Sequence, residues 1–496
     1  NSGHPLRFAT AADAAGSTEY TTGVETNGTP GSSGAYTRIT VAADAPDTLY
    51  YYCTNHSGMG SNVSIGANVQ FNNDANPPNI SINPKNDLAR DTVFAISYPS
   101  GAFTQSGAGG SFVGTAYTFY SSSLKNHSLW SWGGNTRGVL GHNQAHNVGH
   151  ISSPVQIGSN TNWIDLPNTG GNSDYFGAIN ANGELWMWGQ NTDGGLGQNN
   201  TTVYSSPVQI PGTTWGESVT SLGNKTHFAL GHYNSLCIKT DGTLWSWGYN
   251  RYGKLGHNSE IRYSSPVQVP GTTWKMIHGG YYHSSAIKTD GTLWTWGRNE
   301  DGDMGQNNVN TGYSSPVQIP GTTWSQVGSS SDKGGFATKT DGTLWSWGYN
   351  DLGQLGQNNR TRYSSPVQIP GTTWSNVTGF IYGVLAVKTD GTLWGWGDNG
   401  QGQLGQNDII RVSSPVQIPG TDWSKTDRKK LESGTYGVRA IKTDGTFWVW
   451  GRNNRGQLGQ NNITNYSSPV QVPGTNYITV GAAPDSRASF ALREQS

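Results

Sequence analysis

The ten residues Ile287-Lys288-Thr289-Asp290-Gly291-Thr292-Leu293-Trp294-Thr295-Trp296 contain the pattern that decides the fold. The pair Asp290-Gly291 tolerates the positive backbone φ angles of a tight turn, so it predicts a β-hairpin between two short strands. Trp294 and Trp296 alternate with Thr295, and this two-residue period places both tryptophans on one face of the second strand. The stretch therefore predicts a hairpin with one tryptophan-rich face.

The same pattern recurs seven times along the chain. The motif Trp-x-Trp-Gly begins at Trp130, Trp186, Trp245, Trp294, Trp345, Trp394 and Trp448. A second motif, Ser-Ser-Pro-Val-Gln, occurs seven times in step with it. The steps of 49 to 59 residues match the length of a four-stranded blade with its loops. Residues 111–496 are therefore predicted to form an all-β, seven-bladed β-propeller with tryptophans packed between its sheets.

The two ends of the repeat array complement each other. Strand-like residues from Tyr477 onwards are followed by no Trp-x-Trp-Gly motif, whereas the unit at Trp130 lacks a full copy of the preceding strands. We therefore expect the C-terminal strands to pair with the first blade, which closes the ring and leaves no open sheet edge.

A glycine-rich loop follows each Trp-x-Trp-Gly motif. Residues 348–358 show its pattern, Gly-x-Asn-x-x-Gly-x-Leu-Gly. The pattern resembles the repeat of regulator-of-chromosome-condensation proteins, and the resemblance extends from about residue 110 to the C-terminus. It implies a propeller fold. Nuclear members of that family act as nucleotide-exchange factors on a small GTPase and bind chromatin, so an exchange-factor-like signalling scaffold is one implied function.

Composition argues against several partners. The chain has 496 residues, a formal net charge of −1 and only 12% charged residues, so it lacks the basic footprint of a nucleic-acid-binding protein. No apolar run approaches the roughly 18 residues that span a membrane, so no membrane insertion is expected. The one basic cluster, Lys425, Arg428, Lys429 and Lys430, is expected to be a solvated loop. No Ser/His/Asp or paired-carboxylate grouping recurs, which predicts a non-enzymatic protein.

The N-terminal segment contains a different motif. An aromatic stretch ends at Cys53, and a predicted loop then carries His56 and Met59. This arrangement resembles the copper-binding loop of cupredoxins, in which thiolate, imidazole and thioether ligate copper. His4 lies 49 residues before Cys53, the distance at which cupredoxins place another histidine ligand. The resemblance implies a copper site of His4, Cys53, His56 and Met59, with an empty site on the same fold as the alternative.

The motifs divide the chain into three predicted domains. Residues 1–73 are predicted to be a partial cupredoxin-like β-sandwich, incomplete at its N-terminus, because few residues precede His4. Residues 74–110 contain two strand-like segments and a Gly/Ser-rich tether, which predict a β connector. Residues 111–496 form the predicted propeller.

Low charge and many Asn, Gly, Ser and Thr residues favour an extracellular structural or adhesive protein. The combination of a cupredoxin-like segment with propeller repeats resembles structural proteins of marine bacteriophages, which implies a virion appendage such as a tail fibre, or a surface filament. Such a protein would present its propeller faces to a protein or glycan surface, as a homo-oligomer or within a larger assembly. The alternatives are a copper-binding electron-transfer protein with a propeller docking module, and the exchange-factor-like scaffold.

Overall fold

A computed structural model of the chain describes residues 6–9, 19–21, 24–27, 36–39, 48–53, 56–64, 67–72, 79–84, 93–96, 117–120, 127–144, 149–169, 174–216, 227–329, 333–425, 427–483 and 487–495. The chain divides into two compact units, Asn1–Ser123 and Leu124–Ser496. In the described ranges the fold is built of β-strands with a few short 3-10 turns, so the all-β prediction is confirmed. None of the helical turns described there is long and apolar enough to cross a membrane.

The N-terminal unit contains two antiparallel sheets and a strand pair in its described residues. One sheet has the order β1-β4-β5, with bounds Leu6–Ala9, Thr48–Cys53 and His56–Ser64. The other has the order β2-β3-β6-β7, with bounds Val24–Asn27, Tyr36–Ile39, Ala67–Asn72 and Asn79–Pro84. Strand β8 (Val93–Ile96) pairs with β9 (Tyr117–Tyr120). A cupredoxin-like sandwich stays a prediction for this unit.

The second unit forms seven sheets, one per blade. Blade 1 contains β10 (His127–Gly134), β11 (His150–Gln156), β37 (Tyr477–Ala482) and β38 (Ala488–Glu494). Blade 2 contains β12 (Trp163–Asp165), β14 (Tyr175–Asn180), β15 (Leu185–Gly189) and β16 (Tyr204–Gln209). Blade 3 contains β17 (Phe228–Leu230), β18 (Asn234–Ile238), β19 (Leu244–Gly248) and β20 (Tyr263–Gln268), and the short β13 (Asn168–Thr169) pairs parallel with β17.

The remaining four blades follow the same plan. Blade 4 contains β21 (Trp274–Gly279), β22 (His283–Lys288), β23 (Leu293–Gly297) and β24 (Tyr313–Ile319). Blade 5 contains β25 (Trp324–Ser329), β26 (Gly334–Lys339), β27 (Leu344–Gly348) and β28 (Tyr363–Ile369). Blade 6 contains β29 (Trp374–Phe380), β30 (Gly383–Lys388), β31 (Leu393–Gly397) and β32 (Val412–Ile418). Blade 7 contains β33 (Leu431–Ser433), β34 (Gly437–Ile441), β35 (Phe447–Gly451) and β36 (Tyr466–Val472).

The first strand of each blade faces the centre of the ring. Strands β17, β21, β25, β29, β33 and β37 contact one another in turn from blade to blade. The Ser-Ser-Pro-Val-Gln strands lie at the other edge of each sheet and form the rim. Blades 2 to 7 thus run in chain order from centre to rim, and the predicted seven-bladed propeller is confirmed.

The two ends of the repeat array meet in blade 1. Strand β38 pairs antiparallel with β10, with Ala491 opposite Trp130, and β37 pairs with β38 on its other side. C-terminal strands therefore supply the two inner positions of a blade whose outer strands come from the start of the array. The predicted mode of ring closure is confirmed.

Adjacent blades are joined by the second tryptophan of each Trp-x-Trp-Gly motif. Its indole N–H donates to the backbone carbonyl of the glycine-rich loop in the preceding blade. These seven bonds are Trp132 to Gln457, Trp188 to Val139, Trp247 to Gly195, Trp296 to Lys254, Trp347 to Asp303, Trp396 to Gln354 and Trp450 to Gln403, at 2.7 to 3.0 Å. All seven tryptophans are buried. The predicted packing of tryptophans between sheets is thus confirmed at this position.

The residues of the glycine-rich loop motif also shape this contact between adjacent blades, which we call the seam. The side chain of Asn350 accepts a hydrogen bond from the Leu355 N–H at 2.9 Å, and the Ser346 hydroxyl donates to the Leu355 carbonyl at 2.9 Å. A Cβ atom at Gly256 would lie 3.0 Å from the Trp296 indole nitrogen, and its φ of +82° also favours glycine. The Asn, Leu and Gly positions of the motif therefore shape the loop that receives the next tryptophan.

The prediction of a solvated loop is wrong for Arg428 and Lys429 of the basic cluster, although Lys425 is exposed. Arg428 is 1% exposed, and its Nη1 lies 3.3 Å from the Met276 sulfur in blade 4. Lys429 pairs with Asp165 of blade 2, and both side chains are largely buried. The segment leads into β33 at the centre of the ring, where polar groups of other blades accept its cations.

Glu432 completes this central cluster. Its Oε1 accepts hydrogen bonds from the Thr169 N–H at 3.2 Å and from the Thr169 hydroxyl at 2.8 Å. Burial raises the pKa of Glu432 to about 7, although those hydrogen bonds and two arginines oppose the shift. Burial also lowers the pKa of Arg428 to about 10. The cluster links blades 2, 4 and 7 at the centre of the ring.

Candidate protein-binding face

Two positions in each blade meet at one end of the ring. One is the last residue of the turn between the first and second strands, and the other directly follows Trp-x-Trp-Gly. The Arg298 N–H donates to the Tyr282 carbonyl at 3.0 Å, and the Tyr349 N–H donates to the Lys333 carbonyl at 3.0 Å. We call this end of the ring the turn face. The opposite end, which carries the Thr-Asp-Gly-Thr hairpins, is the hairpin face.

The turn face is rich in half-buried tyrosines. They are Tyr233, Tyr249, Tyr252, Tyr281, Tyr282, Tyr349, Tyr382 and Tyr436. His232 stacks on Tyr281 with ring centroids 3.8 Å apart, and Tyr349 lies 5.9 Å from Tyr382. These contacts join blade 3 to blade 4 and blade 5 to blade 6, and we call the tyrosines of blades 3 to 6 the belt.

Arginines stack on this belt. The Arg298 guanidinium lies 4.3 Å from the ring centroid of Tyr282, that of Arg362 lies 4.5 Å from Tyr349, and that of Arg262 lies 4.5 Å from Tyr249. Cation–π contacts of this kind fix a long side chain in one orientation. The belt therefore presents arginines that are already ordered.

Arg362 and Arg262 also form ion pairs with carboxylates. Arg362 donates to Asp301 at 2.6 Å and to Asp351 at 2.7 Å, and Arg262 donates to Asp193 at 2.8 Å. Hydrogen bonds from Arg362 lower the pKa of Asp351. The Arg362 and Arg262 side chains remain 46% and 58% exposed. Both guanidiniums therefore keep surface available to a partner.

A buried lysine, Lys254, lies beneath the aromatic rings of the belt and bonds the backbone that carries them. Lys254 is fully buried, and its ammonium donates to the backbone carbonyls of His232 and, at 3.0 Å, of Tyr281. Burial lowers the pKa of Lys254 well below its usual value, and burial followed by the Lys254 charge lowers the pKa of His232 to about 3. Lys254 thus ties the turns of blades 3 and 4 together beneath the stacked rings.

The predicted copper ligands are only partly within the described residues. His4 lies outside them. Cys53 ends β4 and is the backbone partner of His56, which begins β5, and Met59 lies within β5. The prediction of a loop carrying His56 and Met59 is wrong, because β5 runs from His56 to Ser64 as a strand. The copper site itself stays a prediction. In the described part of the chain no three His, Cys, Asp or Glu residues group as a metal site.

Sequence reasoning missed the turn face because its residue types vary from blade to blade. The turn position is Tyr233, Tyr282, Lys333, Tyr382 and Tyr436 in successive blades. The signal available was an aromatic or cationic residue directly before each second strand of blades 3 to 7, paired in blades 3, 4, 5 and 7 with another directly after Trp-x-Trp-Gly. No fixed motif marks these positions, whereas a fixed motif marks every seam.

Family models for the regulator of chromosome condensation (RCC1) repeat match several stretches of the chain. One model matches residues 182–238, 241–287, 341–383, 390–425 and 444–482. A second model of the same repeat matches residues 226–254 and 279–303. All of these stretches lie in the propeller.

Curated relatives share parts of these repeats. The RCC2 homolog of Xenopus laevis is 33% identical over 141 residues, which is 28% of this chain and 25% of that protein. The mitochondrial RCC1 domain-containing protein RUG3 of Arabidopsis thaliana is 27% identical over 171 residues, 34% of this chain and 36% of that protein. The probable E3 ubiquitin-protein ligase HERC6 of Homo sapiens is 30% identical over 148 residues, 29% of this chain and 13% of that protein. The chain thus spans about a third or less of the length of these relatives.

A solved structure agrees with the fold. Prp20p of Saccharomyces cerevisiae, described with its binding properties to Gsp1p and histones, superposes with a TM-score of 0.63 at 19% identity, covering 75% of this chain and 93% of that one.

These similarities overturn the prediction of an extracellular structural or adhesive protein. The relatives are a mitochondrial protein, a probable ubiquitin ligase, an RCC2 homolog and a protein that binds Gsp1p and histones. Virion, tail-fibre and cell-surface assignments are therefore wrong, and interaction with other proteins is the role that remains. The second unit of this chain is a seven-bladed β-propeller built from regulator of chromosome condensation repeats.

Proposed function

We propose that the propeller is a non-catalytic regulatory module that docks a protein partner on its turn face. The observation that carries this proposal is the belt of half-buried tyrosines with ordered, half-exposed arginines across blades 3 to 6. Tyrosine and arginine are the residues most enriched at energetically important positions of protein interfaces. Because these side chains are held in place before binding, little conformational entropy is lost when a partner docks.

The chemistry of the belt favours an acidic partner surface. A guanidinium has five N–H donors, and Arg262 engages only Asp193 among the acidic groups of its described surroundings. Its remaining donors are available to carboxylates of a partner. The yeast relative is described as binding a protein, Gsp1p, and histones. Because histones are basic, an acidic surface of a Gsp1p-like protein is the partner that we propose for this chain, and histones serve as the comparison.

Direct binding measurements test this proposal. Purified Gsp1p and histones would be titrated against the immobilised full chain by biolayer interferometry. Combined substitution of Tyr349→Ala and Arg362→Ala should weaken binding at least about tenfold, because both residues lie at the centre of the belt. The matched control is Thr372→Ala, an exposed position beside the Gly342 turn on the hairpin face, which should leave the affinity unchanged.

Two results would overturn the proposal. One is that Gsp1p does not bind the chain at micromolar concentration, or binds it no more tightly than histones do. The other is that the hairpin-face control weakens binding as much as the turn-face substitutions do, because the partner would then dock elsewhere.

A further inference from the structure

The hairpin face carries a repeated cluster of one lysine and two tryptophans. In blade 3, Trp215 meets Trp245 edge to face at 6.3 Å, and the Lys239 ammonium lies 4.5 and 4.2 Å from the two rings. The same arrangement recurs in blades 4 to 7 with Lys288, Lys339, Lys388 and Lys442, at 4.0 to 5.0 Å. We call these groups the Lys–Trp–Trp clusters. They lie on the opposite face from the tyrosine belt.

A cleft opens beside the blade 3 cluster, at the seam with blade 2. Its volume is about 330 Å³, at the lower end of the range for ligand sites. Two prolines, Pro211 and Pro266, line it together with Lys239 and both tryptophans. Trp245 is half-buried, so part of its ring forms the wall of the cleft. The lining is therefore mainly aromatic and apolar, with one cation.

Each ammonium of the clusters is free to accept a ligand. None of the ion pairs formed by the described residues includes any of the five lysines. Hydrogen bonds from Thr243 lower the pKa of the nearby turn aspartate, Asp241, and the charge of Lys239 adds to this shift. The carboxylate itself accepts from the Thr243 N–H at 2.9 Å and from its hydroxyl at 2.6 Å. The rings hold the ammonium in place, and the Trp245 indole is itself fixed by a bond to the Thr243 hydroxyl.

We propose that the cleft of blade 3 and the corresponding surfaces beside the other four clusters, which we call the seam clefts, bind extended peptide segments in which proline precedes an acidic residue. Aromatic-lined grooves select proline-rich segments because the polyproline helix is already extended and loses little entropy on binding. Charge complementarity places the acidic residue on the lysine. Because similar clusters recur in five blades, a partner with repeated motifs gains avidity by occupying several clefts at once.

The seam between blades 1 and 2 provides a natural control. Trp163 and Trp186 form the same edge-to-face pair there, at 6.4 Å. Asn180 stands at the position that lysine holds in the five clusters. This seam has the aromatic pair without the ammonium, so it should not bind the acidic segment.

The test uses fluorescence anisotropy of a labelled peptide with three Pro-Pro-Glu repeats, titrated with the full chain. We expect saturable binding that weakens with salt, and at least tenfold weaker binding of a Pro-Pro-Gln peptide. Replacing all five cluster lysines by glutamine should weaken binding of the Glu peptide by at least about tenfold. Circular dichroism would verify that this variant is folded.

A gain-of-function variant keeps the test decisive if the fivefold variant does not fold. The combined substitution Asn180→Lys, Asn182→Asp and Glu184→Thr gives this hairpin the lysine, aspartate and threonine of the other five. It should add one binding site to the stoichiometry measured by calorimetry with a single-motif peptide. Absence of peptide binding to the wild-type chain, or equal binding of the Gln and Glu peptides, would overturn the proposal. Displacement of the peptide by neutral oligosaccharides at lower concentration than by free peptide would assign the clefts to glycans instead.

Discussion

The seams between blades and the centre of the ring are built in opposite ways. Every seam uses the same bond, from an indole N–H to a loop carbonyl, and Trp396 bonds Gln354 as Trp132 bonds Gln457. In the centre, by contrast, each contact occurs once. Arg428 reaches blade 4, and Glu432 reaches Thr169 of β13, which pairs with blade 3.

This difference shows what a repeated sequence does and does not specify. A repeat that recurs seven times determines how each blade contacts its neighbour, because both partners of the contact are present in every copy. A contact across the ring joins residues of different, non-adjacent copies. Such contacts can therefore be unique without disturbing the seams.

Removing the strands that close the ring should have the largest effect. Deletion of residues 476–496 removes β37 and β38, leaving β10 with an open edge and Arg439 without its bonds to Ser489 and Ala488. Arg439 is fully buried, and loss of partners for a buried charge alone costs about 3 to 5 kcal/mol. We expect calorimetry to show loss of the single cooperative transition. An unchanged melting temperature and cooperativity would contradict the closure described here.

A permuted chain is the control for this deletion. Residues 476–496 would be inserted between Ser123 and Leu124. Because Glu494 lies opposite His127 at the start of β10, a short connection suffices. The permuted chain should regain the cooperative transition, since blade 1 would then have its four strands in the chain order of the other blades.

A smaller effect is expected from Glu432 at the centre. Its folded-state pKa of about 7 lies above the ordinary 4.5, so the folded state binds the proton more tightly than the unfolded state does. The resulting contribution to the free energy of unfolding is about 3 kcal/mol. It is fully present below pH 4.5 and is lost as the pH rises to about 7. Glu432→Gln keeps an oxygen for Thr169 and should remove this part of the pH dependence. Urea unfolding of the wild type and the variant at pH 4.5 and 7.5 measures this pH dependence. If the free energy of unfolding changes equally with pH in both proteins, Glu432 does not titrate in this range.

The smallest effect is expected at a single seam position. Ser346→Ala removes the hydroxyl that bonds the Leu355 carbonyl, and it should cost about 1 kcal/mol or less. Blades 6 and 7 have Gly395 and Val449 at this position and form the same seam without a hydroxyl. The equivalent Ser246→Ala should cost a similar amount, and the double variant should be additive in thermal unfolding. A cost above about 2 kcal/mol would mean that seams are not interchangeable.

Much of the propeller could be predicted from the sequence because its information is local. The Asp290-Gly291 hairpin, the alternation of Trp294 and Trp296, and the spacing of the motifs specify the blade and its number. Ring closure followed from the surplus strands at the C-terminus. Each of these inferences needs only one repeat or its two ends.

The centre and the turn face could not be predicted for a physical reason. The burial of Arg428 depends on Met276, which lies 152 residues away, and Lys429 depends on Asp165, at a separation of 264 residues. Their proximity arises only when the ring closes. The arginines of the turn face likewise depend on acidic residues of another blade, as Arg262 does on Asp193. Composition alone therefore suggested a solvated loop and missed the face.

The indole bonds of the seams all run in the same direction around the ring. Each blade offers a donor on one side and an acceptor on the other, so any fragment with fewer than seven blades has one unused donor edge and one unused acceptor edge. Such fragments are complementary to each other and would join end to end into open polymers. A growing chain on the ribosome is prone to this self-association until its last strands emerge. Closure of the ring removes the risk, because the donor edge and the acceptor edge then bind each other within one molecule.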